Sequence, residues 1–138
     1  MKKLYKKILF TILCVFSMSV AVQAQEPLQE VVQYIRGGNV AGMAKYFDKS
    51  VGININNNQA TYSASQAEII LKDFFTKNVV KDFNVAQSGN RENNAQWAIG
   101  DLTTSTGNYQ LYVKISMINS KFLIKDFRFE KIDKKPTQ

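Results

Sequence analysis

The sequence predicts an α+β fold, a curved and mainly antiparallel sheet wrapped around helices, in the order α-α-β-β-α-β-β-β-β. Three observations lead there. Apolar residues recur at helical spacing in two short segments near residues 28–47 and in a longer one near 65–77. After Asn78 the periodicity switches to two and stays so for four consecutive stretches. The joints between those stretches are short and rich in Asn, Gly and Ser, which makes the strands antiparallel neighbours.

Leu28, Val31, Val32 and Ile35 form one stripe of a helix that Pro27 opens and Gly37-Gly38 stops. Asn39 is placed to cap a second helix with the stripe Val40, Met43, Ala44 and Phe47. In "SVGININNNQATYS", Val51, Ile53 and Ile55 alternate with Gly52, Asn54 and Asn56, then Asn56-Asn57-Asn58 turns the chain into a short return strand, residues 59–62. "SASQAEIILKDFFTKN" is the clearest helix, burying Ala67, Ile70, Leu71, Phe74 and Phe75. Ser65 with Glu68 and Ser63 with Gln66 both fit a capping box, so two starts remain open. Strands follow over 83–88, 95–104, 109–118 and 121–129. In the last, Phe122 and Ile124 share one parity and Phe127 and Phe129 the other. A bulge near Lys125-Asp126 brings all four to one face.

The N-terminus predicts a compartment. Lys2, Lys3, Lys6 and Lys7 precede an apolar run from Ile8 to Val22, which ends in Val22-Gln23-Ala24. This is the plan of a secretory signal peptide cut after Ala24. At about 15 residues the run is shorter than the roughly 20 a membrane span requires. Ile12 and Leu13 before Cys14 do not make a lipoprotein site. The expected organisation is a signal over 1–24, one domain over 25–131 and a basic tail over 132–138, with the product in the periplasm or outside the cell and without a membrane anchor. Cys14 is the only cysteine, and the sequence has no histidine. The processed chain then rests on its core with no disulfide. Four of the 18 basic residues leave with the signal, so the balance falls from +7 to +3. The basicity is a targeting feature and gives no nucleic-acid footprint.

The stretches "GNVAGMAKYFD", "YSASQAEIILKDFF", "WAIGDLTTSTGNYQLYV" and "FLIKDFRFEK" carry a resemblance. In order and pattern the chain resembles the nuclear transport factor 2-like superfamily, the cystatin-like α+β cone. More narrowly it is similar to an exported bacterial family, domain-of-unknown-function family 4783, over most of residues 28–131. The resemblance implies a sheet wrapped around a long helix, often with a pocket between them. It implies no activity, because the superfamily holds both enzymes and binding modules.

Composition excludes more chemistry than it suggests. Without His or a retained Cys, Ser-His-Asp and Cys-His nucleophiles and the usual zinc sites have no ligands or bases. No cofactor or metal is expected, and "GININNNQ" lacks the carboxylates of a strong calcium site. Carboxylate and tyrosine chemistry remain. Asp101 and Tyr109 are the weak catalytic candidates, with Asp126 a further acid near the bulge. Tyr34, Tyr46, Phe74, Trp97 and Tyr112 are the ligand-binding candidates. Asp101 shares a parity with Trp97 and Ile99, whereas Ala98, Gly100, Leu102 and Thr104 hold the other. If the first set faces the helices, Asp101 is a buried acid of altered pKa. The small residues of the second set favour the opposite arrangement, with Asp101 outside, since an unpaired buried carboxylate costs several kcal/mol. The expectation is a non-catalytic module that binds a small apolar ligand or a protein, with an Asp/Tyr proton-transfer enzyme and a homodimer through Trp97 and Tyr112 as alternatives. A ligand cavity between helix 65–77 and the sheet needs roughly 300 Å³.

Overall fold

The computed structural model describes residues 3–4 and 27–133. Apart from Lys3 and Leu4, the segment read as an export signal lies outside the described residues, as does the tail from 134 onward.

Two helices open the domain, α1 (Pro27–Arg36) and α2 (Val40–Ala44). α1 buries Leu28, Val31, Val32 and Ile35, the stripe its spacing predicts. Gly38 at φ 61° turns the chain out of α1. Asn39 then caps α2, its side chain accepting from the Gly42 amide at 3.0 Å. α2 is shorter than its stripe suggests. Phe47 leaves it and begins β1 (Phe47–Ile55), where it packs edge-on against Phe127 at 6.0 Å.

β2 (Asn58–Ser63) returns along β1 in an unbroken antiparallel register. The two-residue turn between them holds Asn56 and Asn57 at φ 49° and 69°, a left-handed pair that Asn tolerates. α3 (Ala64–Lys77) follows at once. Ser63 is its N-cap and accepts from the Gln66 amide, which decides between the two capping boxes. Four long strands complete the chain: β3 (Val80–Arg91), β4 (Ala95–Thr104), β5 (Gly107–Ile118) and β6 (Lys121–Ile132). β3 runs through Gly89-Asn90, where the sequence suggests a joint. A single 3₁₀ turn, Glu92–Asn94, makes the connection instead.

The sheet is open and six-stranded, in the order β2-β1-β6-β5-β4-β3. All neighbours are antiparallel except β1 and β6, whose parallel pairing joins the first strand to the last. The bulge predicted in β6 is present. Lys114 pairs with Asp126 and Ile115 with Ile124, which leaves Lys125 unpaired. The Lys125 ammonium reaches the Asp48 carboxylate on β1 at 2.5 Å, and this bond, ahead of the Lys49 amide, holds Asp48 below the usual carboxylate range.

All three helices pack on one face. There Val51, Ile53, Ala98, Leu102, Leu111, Val113, Phe127 and Phe129 are buried with the helix stripes. α1 packs across β3 and β4, α3 across β1 and β2. Gly100 has a sheet-internal reason to lack a side chain. A Cβ there would stand 2.4 Å from the Asn84 carbonyl oxygen and 2.9 Å from the Phe83 ring, so β3 approaches β4 only over a glycine.

Candidate functional site

Aromatic rings fill the space between α3 and strands β5 and β6. The Phe74 ring stands 4.5 Å from Phe129, 5.3 Å from Tyr109 and 5.4 Å from Phe75, and Phe127 stacks beside Phe129 at 6.2 Å. Aromatic rings at these separations are in contact. Phe74 is therefore a core residue. The cleft beside α3, about 370 Å³ between Ile70, Phe74 and the β1–β2 hairpin, opens to solvent and does not reach behind these rings.

Asp101 and Tyr109 lie on opposite faces of the sheet. Asp101 is exposed on the helix-free face, opposite Asn84 and Gln110. Tyr109 is 5% exposed on the helix side, and its hydroxyl donates to the Asn78 side-chain oxygen at 3.3 Å. Asn78 also accepts from the Thr106 hydroxyl and donates to the Phe74 carbonyl. Tyr109 thus ties β5 to the end of α3, and no acid accompanies it.

Tyr34 and Tyr46 do come together, on a residue the sequence did not single out. Both hydroxyls donate to the carboxylate of Glu30, Tyr34 to Oε1 at 3.0 Å and Tyr46 to Oε2. Tyr46 first and Tyr34 second hold Glu30 below the ordinary carboxylate range. In return the Tyr46 hydroxyl is pushed up to about 12, by that bond first and by burial second. The Tyr34 ring lies over Gly42, where a Cβ would come within 2.5 Å of it. This cluster locks α1 to the α2–β1 connection.

The helix-free face carries the richest array of polar side chains. Cross-strand register aligns them in rows. Asp126, Lys114 and Trp97 form one row across β6, β5 and β4. Asn54, Arg128, Tyr112 and Ile99 form the next, from β1 to β4. Glu130, Gln110, Asp101 and Asn84 form a third. Trp97, Ile99 and Tyr112 are partly exposed. The Arg128 guanidinium lies over the Tyr112 ring at 5.6 Å and that of Arg91 over Trp97 at 5.8 Å, within cation–π range.

Over β1, β6 and β5 this face dips into a solvent-open recess of about 220 Å³. Gly52 forms its floor, and the Asp126 carboxylate lies across that glycine, with Oδ1 2.4 Å from where a Cβ would be. Lys114, Arg128 and Tyr112 stand on one side and Asn54 on the other. Among the described residues, Lys114, Asp126 and Arg128 make no ion pair, and the buried Asn54 Oδ1 has no hydrogen-bond partner. Of the residues picked out from sequence, Tyr112 and Asp126 meet here and Trp97 adjoins in the Asp126–Lys114 row. Gly52, Asn54, Lys114 and Arg128 were missed. Strand parity puts each on a face but cannot say which strands are neighbours. The described residues contain no cluster of three potential metal ligands and no helix long and apolar enough to cross a membrane.

Comparison with known proteins bears on the fold and little on the site. The model of a domain of unknown function, DUF4783, matches residues 28–130. A DUF4783 family protein from Bacteroides uniformis is similar at 27% identity over 79% of this chain and all of its own, with a TM-score of 0.75. One from Bacteroides fragilis shares 31% identity over 75% of this chain and 96% of its own, with a TM-score of 0.71. An NTF2-like protein of unknown function from Cytophaga hutchinsonii, 10% identical over 76% of this chain and 86% of its own, has the same fold at a TM-score of 0.56. No curated protein matches.

Proposed function

The chain belongs to the DUF4783 family, a domain of unknown function, and from that premise we propose that it is an exported, non-catalytic binding module that meets its partner on the helix-free face of the sheet. One observation carries this reading. Phe74, Phe127, Phe129 and Tyr109 occupy the place between helix and sheet where an apolar ligand would sit, while the opposite face presents partly exposed aromatics among unpaired charges. Binding surfaces are rich in Tyr, Trp and Arg for the contact area and hydrogen bonds these residues supply. Proton transfer is less well supported. Asp126 and Tyr112 share a recess, but an aspartate base of that kind works in a dry apolar pocket, and this recess is polar and open. Export rests on the basic, apolar and small-residue order of residues 1–24.

The test is site-resolved photo-crosslinking in the cell envelope. A photoreactive residue replacing Ile99 captures the partner, and one replacing the exposed Ile69 on α3 does not. Capture at Ile69 alone would place binding on the helix side. Mass spectrometry of the envelope protein finds Gln25 as its first residue if export proceeds as read.

The row order favours a second reading, a homodimer. The Tyr112–Ile99 row lies between a row with Lys114 and a row with Asp101 and Glu130. A two-fold axis along the middle row lays Tyr112 and Ile99 of each protomer on the same row of the other and sets each Lys114 between the acids Asp101 and Glu130 of the other, at the cost of bringing Asp126 toward Glu130 across the interface. Sedimentation shows a dimer that Lys114→Glu weakens; a monomer at high concentration removes the reading.

A further inference from the structure

We propose that the recess over β1, β6 and β5 binds a small zwitterion carrying an ammonium and a carboxylate on one carbon, the chemistry of a free α-amino acid. The inference deepens the outer-face reading and rests on it. The recess is bipolar. Its cationic side is Lys114 and Arg128, with the Arg128 guanidinium carbon over the Tyr112 ring at 5.6 Å from its centroid. A guanidinium presents a planar N–H edge that matches a carboxylate in two parallel hydrogen bonds.

The acceptor side is Asp126 with Asn54. Each row holds one acceptor and one donor, Asp126 across from Lys114 and Asn54 across from Arg128, with the Asp126 carboxylate leaning over Gly52 toward β1 and Arg128 over Tyr112 toward β5. The Asp126 carboxylate is an acceptor only and finds no cation among the described residues. The buried oxygen of Asn54 lacks a donor, and an unmet buried acceptor costs about 1–3 kcal/mol. A ligand ammonium supplies three donors, enough for Asp126 and for Asn54 after a small turn of its amide. The glycine floor makes the site possible, because any side chain at position 52 would displace the Asp126 carboxylate.

Two alternatives fit less well. A dianion such as phosphate satisfies Lys114 and Arg128 but is repelled by Asp126 and leaves Asn54 unmet. A cation such as a simple amine satisfies the acceptors and meets two like charges.

The experiment is an NMR titration of the isotope-labelled protein, as processed in the cell envelope, with L-alanine, N-acetyl-L-alanine, L-alaninamide and inorganic phosphate. L-Alanine gives saturable shifts at Gly52, Asn54, Tyr112 and Arg128. Each blocked compound binds about tenfold more weakly, the scale expected for one lost charge-assisted contact. Arg128→Ala weakens L-alanine binding without changing L-alaninamide binding, and Gly52→Ala weakens both. Thermal unfolding of each variant confirms that it remains folded. Absence of saturable shifts with L-alanine, equal binding of the blocked compounds, or tighter binding of phosphate overturns the zwitterion site. If L-alanine fails while the Ile99 crosslink persists, only this inference falls; if both fail, the outer-face reading falls too.

Discussion

Gly52 and Gly100 sit on opposite faces of the sheet and lack side chains for different reasons. At Gly100 the obstacle is the Asn84 carbonyl and the Phe83 ring, which have nowhere to move. Gly100→Ala is expected to destabilise the protein by about 1–3 kcal/mol, the range for overpacking, read as a lower urea midpoint at unchanged slope. At Gly52 the obstacle is the end of the Asp126 side chain, so Gly52→Ala leaves stability nearly unchanged and disturbs the recess. Asp101 supplies the opposite control. It is exposed, and Asp101→Asn stays within about 0.5 kcal/mol of the parent in the same urea titration. The outer position of Asp101 was legible in the sequence, because the other parity assignment buries an unpaired carboxylate at a cost of several kcal/mol. The Glu30 cluster was not, since Tyr34 and Tyr46 converge on it only once α1 and α2 pack. Its pH signature has a definite sign. Glu30 is lowered in the fold, so its contribution is present above the unfolded value of 4.5 and fades as acid protonates it. Tyr46 is raised to about 12, so its contribution is complete below the unfolded value of 10 and is lost as pH rises through 12. The stability gap between the parent and Tyr46→Phe is therefore widest between those unfolded values and closes toward both ends, as urea titrations across pH will show.

At the scale of elements, local signals placed most boundaries. The stripe of α1, the Asn39 cap, the Asn turn between β1 and β2 and the bulge at Lys125 are all consequences of spacing and turn chemistry within a few residues. Where an element departs from its local signal, a long-range contact takes over. Phe47 continues the α2 stripe in sequence, yet it joins β1 because the start of that strand pairs with Ile124 and its ring meets Phe127. β3 passes through Gly89-Asn90 because β4 pairs with it all along, Trp97 covering Gly89. The start of α3 was ambiguous by pattern and is decided by the Ser63 hydroxyl on the Gln66 amide. Ser63→Ala is expected to remove about 1 kcal/mol of stability, whereas Ser65→Ala changes little, which chemical denaturation of the pair can check.

For the whole molecule, the aromatic stack under α3 decides whether the fold is a vessel or a solid. Phe74→Ala is expected to lower stability by about 3–5 kcal/mol, as large-to-small changes do in a tight core. The void it leaves is lined by Phe75, Tyr109 and Phe129. If the interior is as full as the ring distances indicate, the variant takes up a small apolar probe such as benzene and the parent does not, a difference calorimetry detects. By itself the sequence determined the α+β class, the element order, most of each buried stripe (Ala44 and Ile70 are only half-buried) and the absence of histidine and thiol chemistry from the domain. These follow from residue type and short-range periodicity, which act through the chain's own backbone. Only the tertiary structure decided that β1 lies beside β6, that aromatic rings fill the space between α3 and β5–β6, and that Asn54, Tyr112, Lys114, Asp126 and Arg128 gather around one recess. Those depend on which strands neighbour each other and on how rings from distant segments share a volume, and neither is encoded in the spacing of any single segment.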